Sequence, residues 1–122
     1  MKFSLFLNSR KRPTLLKSFL FSVLTSTKNK KEIEVLVRYD DDDKETEEAL
    51  EYAKFSYDLN LVPIKGSRPK NLNASNNETV RVSSGENVFV CNDDIQILTK
   101  DWDETALRKI EEYKKEKNIS DD

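Results

Sequence analysis

The chain has 122 residues and a mass of 14.2 kDa, a size that suits one domain. Its 21 Lys and Arg against 23 Asp and Glu give a net charge of -2, which argues against a dedicated nucleic-acid-binding module. The absence of histidine excludes histidine-based triads and HExxH zinc sites, the single cysteine excludes an intrachain disulfide framework, and two glycines leave no glycine-rich phosphate loop. Any catalysis must therefore use carboxylates, hydroxyls or a metal ion.

No stretch of the sequence predicts a transmembrane span. The longest apolar stretch, 15–24, is interrupted by Lys17 and two serines, whereas a helix that crosses a bilayer needs about 20 predominantly apolar residues. We therefore expect a soluble, cytoplasmic protein.

Apolar runs alternate with helical patterns, which predicts an α/β fold with a mainly parallel sheet and helices on both faces, as in three-layer Rossmann-like domains. A first strand is predicted at 3–7, and a helix begins at Pro13 and carries an apolar stripe as far as residue 24. The second strand, 33–39, is β-branched and nearly continuously apolar, as expected for a central strand. It runs directly into four aspartates, 40–43.

The second half of the chain continues the alternation. Asp43 is predicted to cap a second helix. The remaining elements, in chain order, are a third strand at 59–64, a polar loop at 65–78, a short helix near 74–83, a fourth strand at 87–91, an extended piece at 95–98 and a helix at 104–117. Asp101 and Glu104 form a capping-box pattern for this last helix.

Polar side chains follow three of the predicted strands at their carboxyl ends. They are Ser9 and Arg10, the aspartates 40–43, and the pair Asp93 and Asp94. Ligands of open parallel sheets bind at this edge. Several carboxylates with an arginine, but without histidine or a cysteine cluster, suit a hard divalent cation that bridges to a phosphate-bearing ligand.

Four segments of the sequence carry a family resemblance: 7–13 (LNSRKRP), 34–43 (EVLVRYDDDD), 85–95 (GENVFVCNDDI) and 99–104 (TKDWDE). In order and spacing they resemble the nucleotide-sugar-binding half of a family 2-like glycosyltransferase of the GT-A fold. The resemblance spans nearly the whole chain, and its most specific part is the Asn-Asp-Asp-Ile segment with the Trp-Asp downstream. It implies transfer of a sugar from a nucleoside diphosphate sugar to an acceptor that the sequence does not identify.

Carried over residue by residue, the resemblance implies a nucleotide pocket after the first strand. Ser9 and Arg10 would line this pocket, and Asp40 would accept a hydrogen bond from the base. Arg68 or Lys70, in the loop before the third helix, would offset the charge of the diphosphate.

The resemblance also implies a DxD-type metal motif. Asp93 would face the ribose or a metal-bound water, and Asp94 would hold Mn2+ or Mg2+ on the diphosphate. A cation at this position stabilises the negative charge that develops on the leaving nucleoside diphosphate.

The sequence departs from the family pattern in two respects. Asn8 stands where proline is common, Lys11 where asparagine is common, and Asn92 where a small residue or aspartate is common. In the family, the acceptor half and its catalytic base follow the metal motif, but this chain ends one helix later. We therefore expect 1–122 to be a single, incomplete GT-A-like domain, with no assignable catalytic base, that self-associates or needs a partner chain to cover the missing half.

Other interpretations stay open at this point. The four-acid run allows Asp41 or Asp42 in place of Asp40, or a plain solvated turn. Trp102 is expected as a core anchor, and Cys91 as a buried small hydrophobic side chain. The chain could instead be a flavodoxin-like signalling domain that binds Mg2+, or a non-catalytic α/β interaction domain whose acids are only surface charge.

Overall fold

The computed structural model describes residues 1–67, 81 and 83–117. The helices and strands within these ranges, in chain order, are β1 (Phe3–Asn8), α1 (Pro13–Ser26), a 3-10 turn (Lys30–Glu32), β2 (Ile33–Asp40), α2 (Lys44–Ser56), β3 (Leu61–Gly66), β4 (Asn87–Val90) and α3 (Trp102–Lys117). The alternation of strands and helices confirms the predicted α/β class. Among these described helices, none is long and apolar enough to cross a membrane. The predicted loop at 65–78 and helix near 74–83 lie largely outside the described residues.

The strands form one sheet in the order β3-β2-β1-β4, and every neighbouring pair in it is parallel. Parallel neighbours need a crossover connection, and α1 and α2 supply the crossovers from β1 to β2 and from β2 to β3. The strand order reverses at β1, as in Rossmann sheets, and differs from the 2-1-3-4-5 order of flavodoxin-like domains. The crevice at the carboxyl ends of β1 and β4 is therefore the topological switch point, where ligands of such sheets bind.

Side chains alternate across the sheet and build its core on the face that α1 and α2 cover. Successive residues of a strand point to opposite faces. The apolar members of β1 and β2 on the covered face are Phe3, Leu5, Leu7, Ile33, Val35 and Val37, all buried. The ring of Trp102, the first residue of α3, lies 5.2 Å from the ring of Phe3, which adds α3 to the same core and confirms the expected anchor. On the opposite face, Phe6 and Leu36 are also buried.

The strands β1, β2 and β4 begin where predicted and end within one residue of the prediction, whereas β3 and α3 begin two residues away from it. β3 begins at Leu61 instead of residue 59, because residues after α2 form a turn in which the N–H of Leu59 donates to the carbonyl of Tyr57. α3 begins at Trp102 instead of Glu104. The predicted capping box is right in position only: Asp101 directly precedes α3 and its carbonyl accepts the N–H of Thr105 at 3.3 Å. Its backbone is left-handed with φ 54°, and the Glu104 carboxylate pairs with Lys28 Nζ at 2.9 Å.

β4 forms one edge of the described sheet. Its pairing partner β1 lies on one side only, and the side chain of Val90 is 64% exposed. Residues 95–98, predicted to be extended, belong to no strand of this sheet, and Leu98 is largely exposed. An unpaired edge of this kind is the feature that motivated the expectation of self-association or a partner chain, which stays a prediction.

Candidate functional site

The loop between β1 and α1 is folded against the carboxyl end of β2. The N–H of Ser9 donates to the carbonyl of Arg38 at 3.0 Å, which extends the β1–β2 pairing by one residue. Lys11, two residues after Ser9, has a backbone φ of 51°. This is the left-handed region, which lysine rarely adopts and asparagine tolerates better. This backbone requirement explains why asparagine is common at this position in the family that the sequence resembles.

Asp43 holds this loop against α2. One of its carboxylate oxygens accepts the N–H of Thr46 at 3.1 Å, which confirms the predicted helix cap. The other accepts the hydroxyl of Thr46 at 2.6 Å and the N–H of Lys11 at 2.7 Å. Burial raises the pKa of Asp43, but the hydrogen bonds from Thr46 and Lys11 outweigh that effect and hold the pKa below its usual value. Sequence spacing gave no signal for the contact with Lys11.

Arg10 and Asp40 meet at the carboxyl end of β2, the sheet edge at which the sequence placed both. Arg10 Nη1 donates to Asp40 Oδ2 at 2.5 Å and to Asp42 Oδ1 at 3.1 Å, and the hydrogen bond from Arg10 lowers the pKa of Asp42. The other oxygen of Asp40 accepts from Arg38 Nη1 at 3.1 Å. Asp40 is buried, whereas Asp41 and Asp42 are exposed. The fold therefore presents a carboxylate with guanidinium donors on both sides.

Ser9 and Asp93 meet at the switch point between β1 and β4. The hydroxyl of Ser9 donates to Asp93 Oδ2 at 2.9 Å, and Arg12 Nη1 lies 3.5 Å from Asp93 Oδ1. Asp93 is buried, with a side chain that is 7% exposed, while its neighbour Asp94 is exposed. The pair is thus divided between an anchored carboxylate and one that faces solvent.

The donor set at this end fits a divalent cation through Asp94. No three Cys, Asp or Glu side chains within residues 1–67, 81 and 83–117 converge into a metal site. Both oxygens of Asp93 already have protein partners, so this predicted ligand is available only if Arg12 moves away. Mg2+ and related ions bind through one or two carboxylates together with phosphate oxygens and water. An ion held in this way would need one carboxylate from the protein, and Asp94 is exposed.

Arg68 and Lys70, the basic residues predicted to offset the charge of the diphosphate, lie outside the described residues. Arg12 was not predicted to lie in the site, since a basic triplet before a helix usually lies in solvent. The available signal was its position directly before Pro13, which starts α1 and so brings Arg12 to the carboxyl end of β1.

A buried network at the opposite end of the sheet sets the position of β4. The Glu34 carboxylate accepts the hydroxyl of Ser4 and the N–H of Ser84, both at 2.7 Å, and the Ser4 hydroxyl accepts the N–H of Gly85 at 2.7 Å. Burial raises the pKa of Glu34, but the hydrogen bonds from Ser84 and Ser4 outweigh it and the pKa is lowered. A Cβ at Gly85 would lie 2.6 Å from the carbonyl carbon of Phe3, so only glycine fits.

The Trp-Asp pair of the motif is structural. Trp102 Nε1 donates to the Thr27 hydroxyl at 2.8 Å. The buried Asp103 carboxylate accepts the N–H of Lys28 and the N–H of Asn29, each at 2.9 Å. These bonds hold the chain after α1 against the start of α3. The Trp-Asp pair, which made the sequence resemblance specific, therefore serves to dock α3, and its hydrogen bonds go to residues 27–29.

Comparisons with known proteins identify the family and the fold. The family model described as Glycosyl transferase family 2 matches residues 5–118. The structure of residues 1–349 of TarS from S. aureus superposes with a TM-score of 0.80 at 23% identity, over 92% of this chain and 33% of that chain. Its complexes with UDP and with UDP-GlcNAc have the same TM-score of 0.80, and the chain covers 32% of each. The chain thus spans about a third of the length of these structures, and the likeness shows a shared fold. A comparison with curated proteins finds no significant match.

Proposed function

Because the chain belongs to glycosyl transferase family 2, we propose that it binds a uridine diphosphate sugar as the donor of a glycosyl transfer reaction. The observation that carries the proposal is the arrangement of two polar centres along one sheet edge. Arg10 with Asp40 lies at the end of β2, and Ser9 with Asp93 lies at the switch point beside it. A nucleotide that lies along this edge would reach both centres.

The centre at Asp40 suits the base. Uracil offers an N–H donor between two carbonyl acceptors. The oxygens of Asp40 already accept from Arg10 and Arg38, but each keeps a further lone pair, and the carboxylate lies between two guanidinium donors. Guanine, with two neighbouring N–H donors and one carbonyl acceptor, also pairs with a carboxylate beside a guanidinium, so the side-chain pattern alone does not select uracil. The UDP and UDP-GlcNAc complexes of TarS, which has the same fold, support the choice of uridine.

The centre at Asp93 and Asp94 suits the diphosphate. We propose that Asp94 holds Mn2+ or Mg2+ against the phosphate oxygens, and that Ser9 and Asp93 face the ribose side of the donor. The cation would neutralise charge on the leaving nucleoside diphosphate. The acceptor and the catalytic base are outside this proposal, and we propose that 1–122 acts as a donor-binding domain that functions together with an acceptor-binding half.

Thermal unfolding with added nucleotide tests the proposal, because a ligand that binds only the folded state stabilises it. At a ligand concentration 100 times the Kd the expected gain is about 2.7 kcal/mol. UDP and GDP are each added with and without Mn2+, and we expect stabilisation by UDP that increases with Mn2+. No stabilisation by either nucleotide at millimolar concentration, in a chain shown to be folded, would refute donor binding and favour a non-catalytic interaction domain.

Two variants and one control locate the binding site. Asp94→Ala should remove the Mn2+-dependent part of the stabilisation, and Asp40→Asn should reduce the preference for UDP over GDP. Asp58→Ala is the control, since Asp58 is exposed in the turn before the amino end of β3 and its loss changes the charge equally. If Asp58→Ala weakens UDP binding as much as Asp94→Ala does, the effect is one of net charge and the site assignment is wrong.

A further inference from the structure

Arg12 is the arginine of the β1–α1 loop to which the proposed function gives no role. Its side chain is 58% exposed, and one guanidinium nitrogen lies 3.5 Å from Asp93 Oδ1. The 3.5 Å contact is long and monodentate and the guanidinium is largely exposed, so Arg12 can turn to another anion, although Asp93 itself is buried. Asp93 retains the hydrogen bond from Ser9 when Arg12 leaves.

The position of Arg12 matches the phosphate end of the site. Arg12 directly precedes α1, whose N-terminus lies at the carboxyl end of β1, and its contact with Asp93 places it next to the exposed Asp94. Arg10, in the same loop, is already held by Asp40 and Asp42 at the base end. The two arginines of the loop are therefore directed to different ends of the sheet edge.

We propose that Arg12 binds the diphosphate of the nucleotide sugar and exchanges its contact with Asp93 for phosphate oxygens when the donor binds. This inference rests on the proposed function and names a diphosphate ligand for the residue. A planar guanidinium can donate two parallel hydrogen bonds to a phosphate, and a diphosphate carries more charge than the single carboxylate that Arg12 now faces. The N-terminal end of α1 adds a field that favours an anion at the same place.

Calorimetric titration of the full chain with UDP and with UMP tests this role. The two nucleotides share base and ribose and differ by one phosphate. We expect Arg12→Gln to weaken UDP binding about tenfold or more, as loss of a charge-assisted hydrogen bond does, and to weaken UMP binding less. Arg12→Lys should restore part of the loss, and Arg108→Gln, at an exposed position of α3, should change neither affinity.

A second pair of variants separates phosphate binding from simple neutralisation of Asp93. If Arg12 only neutralises that carboxylate, Arg12→Gln has no effect on UDP affinity in an Asp93→Asn background. If Arg12 binds the diphosphate, the loss in that background is at least as large as in the native chain. An absent loss in the Asp93→Asn background overturns the inference.

The failure of this inference is distinct from failure of the proposed function. If native chain binds neither UDP nor UMP, donor binding itself is wrong and the role of Arg12 fails with it. If native chain binds UDP and Arg12→Gln binds UDP and UMP with unchanged affinities, donor binding stands and only the role of Arg12 is refuted.

Discussion

Replacing Asp103 by alanine should destabilise the fold severely, because this residue of the Trp-Asp pair fastens the chain after α1 to the start of α3. Its side chain is 1% exposed, and its carboxylate accepts two backbone N–H groups at 2.9 Å. A hydrogen bond to a charged group contributes about 1.5–3 kcal/mol, so two of them give about 3 kcal/mol when water partly replaces them in the variant. This loss is a large share of the free energy of unfolding of a whole domain, which is typically about 5–15 kcal/mol.

Urea unfolding measures the loss in the free energy of unfolding. It is monitored by far-UV circular dichroism and by the fluorescence of Trp102, the single tryptophan. For a chain of this length, a loss of about 3 kcal/mol lowers the melting temperature by about 10 °C. Asp103→Asn should fall between alanine and the native residue, because the amide retains one acceptor oxygen.

The neighbouring residue offers a matched control. Glu104 pairs with the Lys28 side chain at 2.9 Å, but both side chains are more than half exposed, so Glu104→Ala should have a small effect that salt reduces further. Equal destabilisation by Asp103→Ala and Glu104→Ala would refute the reasoning, because it would mean that the buried backbone contacts add nothing beyond a surface ion pair.

Four further outcomes follow from the geometry. Lys11→Asn should raise the free energy of unfolding by about 1 kcal/mol in urea titrations, since asparagine tolerates the left-handed backbone; an unchanged or lowered value would contradict the strain at this position. Gly85→Ala should lower the free energy of unfolding by about 2–3 kcal/mol by pressing a methyl group against β1, and a neutral result would mean that the loop can move aside. Because the folded pKa of Glu34 lies below its ordinary 4.5, its contribution to stability is present above that pH and is lost as pH falls through the folded pKa; Glu34→Gln should therefore flatten the acid side of the stability profile. Burial raises the pKa of the Cys91 thiol to about 11, so iodoacetamide at pH 8 should alkylate the folded chain at least about tenfold more slowly than the urea-unfolded chain, and equal rates would show that the thiol is not protected.

The sequence predicted most of the fold because its signals were local and agreed with one another. Alternating apolar runs placed β1, β2 and β4 within a residue or two of their observed bounds. The prediction failed where tertiary contacts decide the boundary. α3 begins at Trp102 because the indole packs on Phe3 and bonds to Thr27, and no capping pattern in the sequence reports such contacts.

The candidate site was predictable to the extent that parallel strands bring their carboxyl ends together. That rule correctly placed Ser9, Arg10, Asp40 and Asp93 along one edge of the sheet, without predicting which of them touch. It did not predict the contact of Arg12 with Asp93, because this contact requires knowing that β4 lies beside β1. The functional roles of these residues stay predictions until nucleotide binding is measured.

The sequence distances spanned by the two centres differ, and this difference bears on how the domain folds. Arg10 and Asp40 are 30 residues apart, whereas Ser9 and Asp93 are 84 apart. Closing a longer loop costs more chain entropy and slows formation of the contact. We therefore expect β1, β2 and β3 to form the folding nucleus, and β4 to dock after the rate-limiting step. Conservative substitutions in β4 should then accelerate unfolding with little effect on refolding, and refolding rates that fall in step with stability would show instead that the last strand belongs to the nucleus.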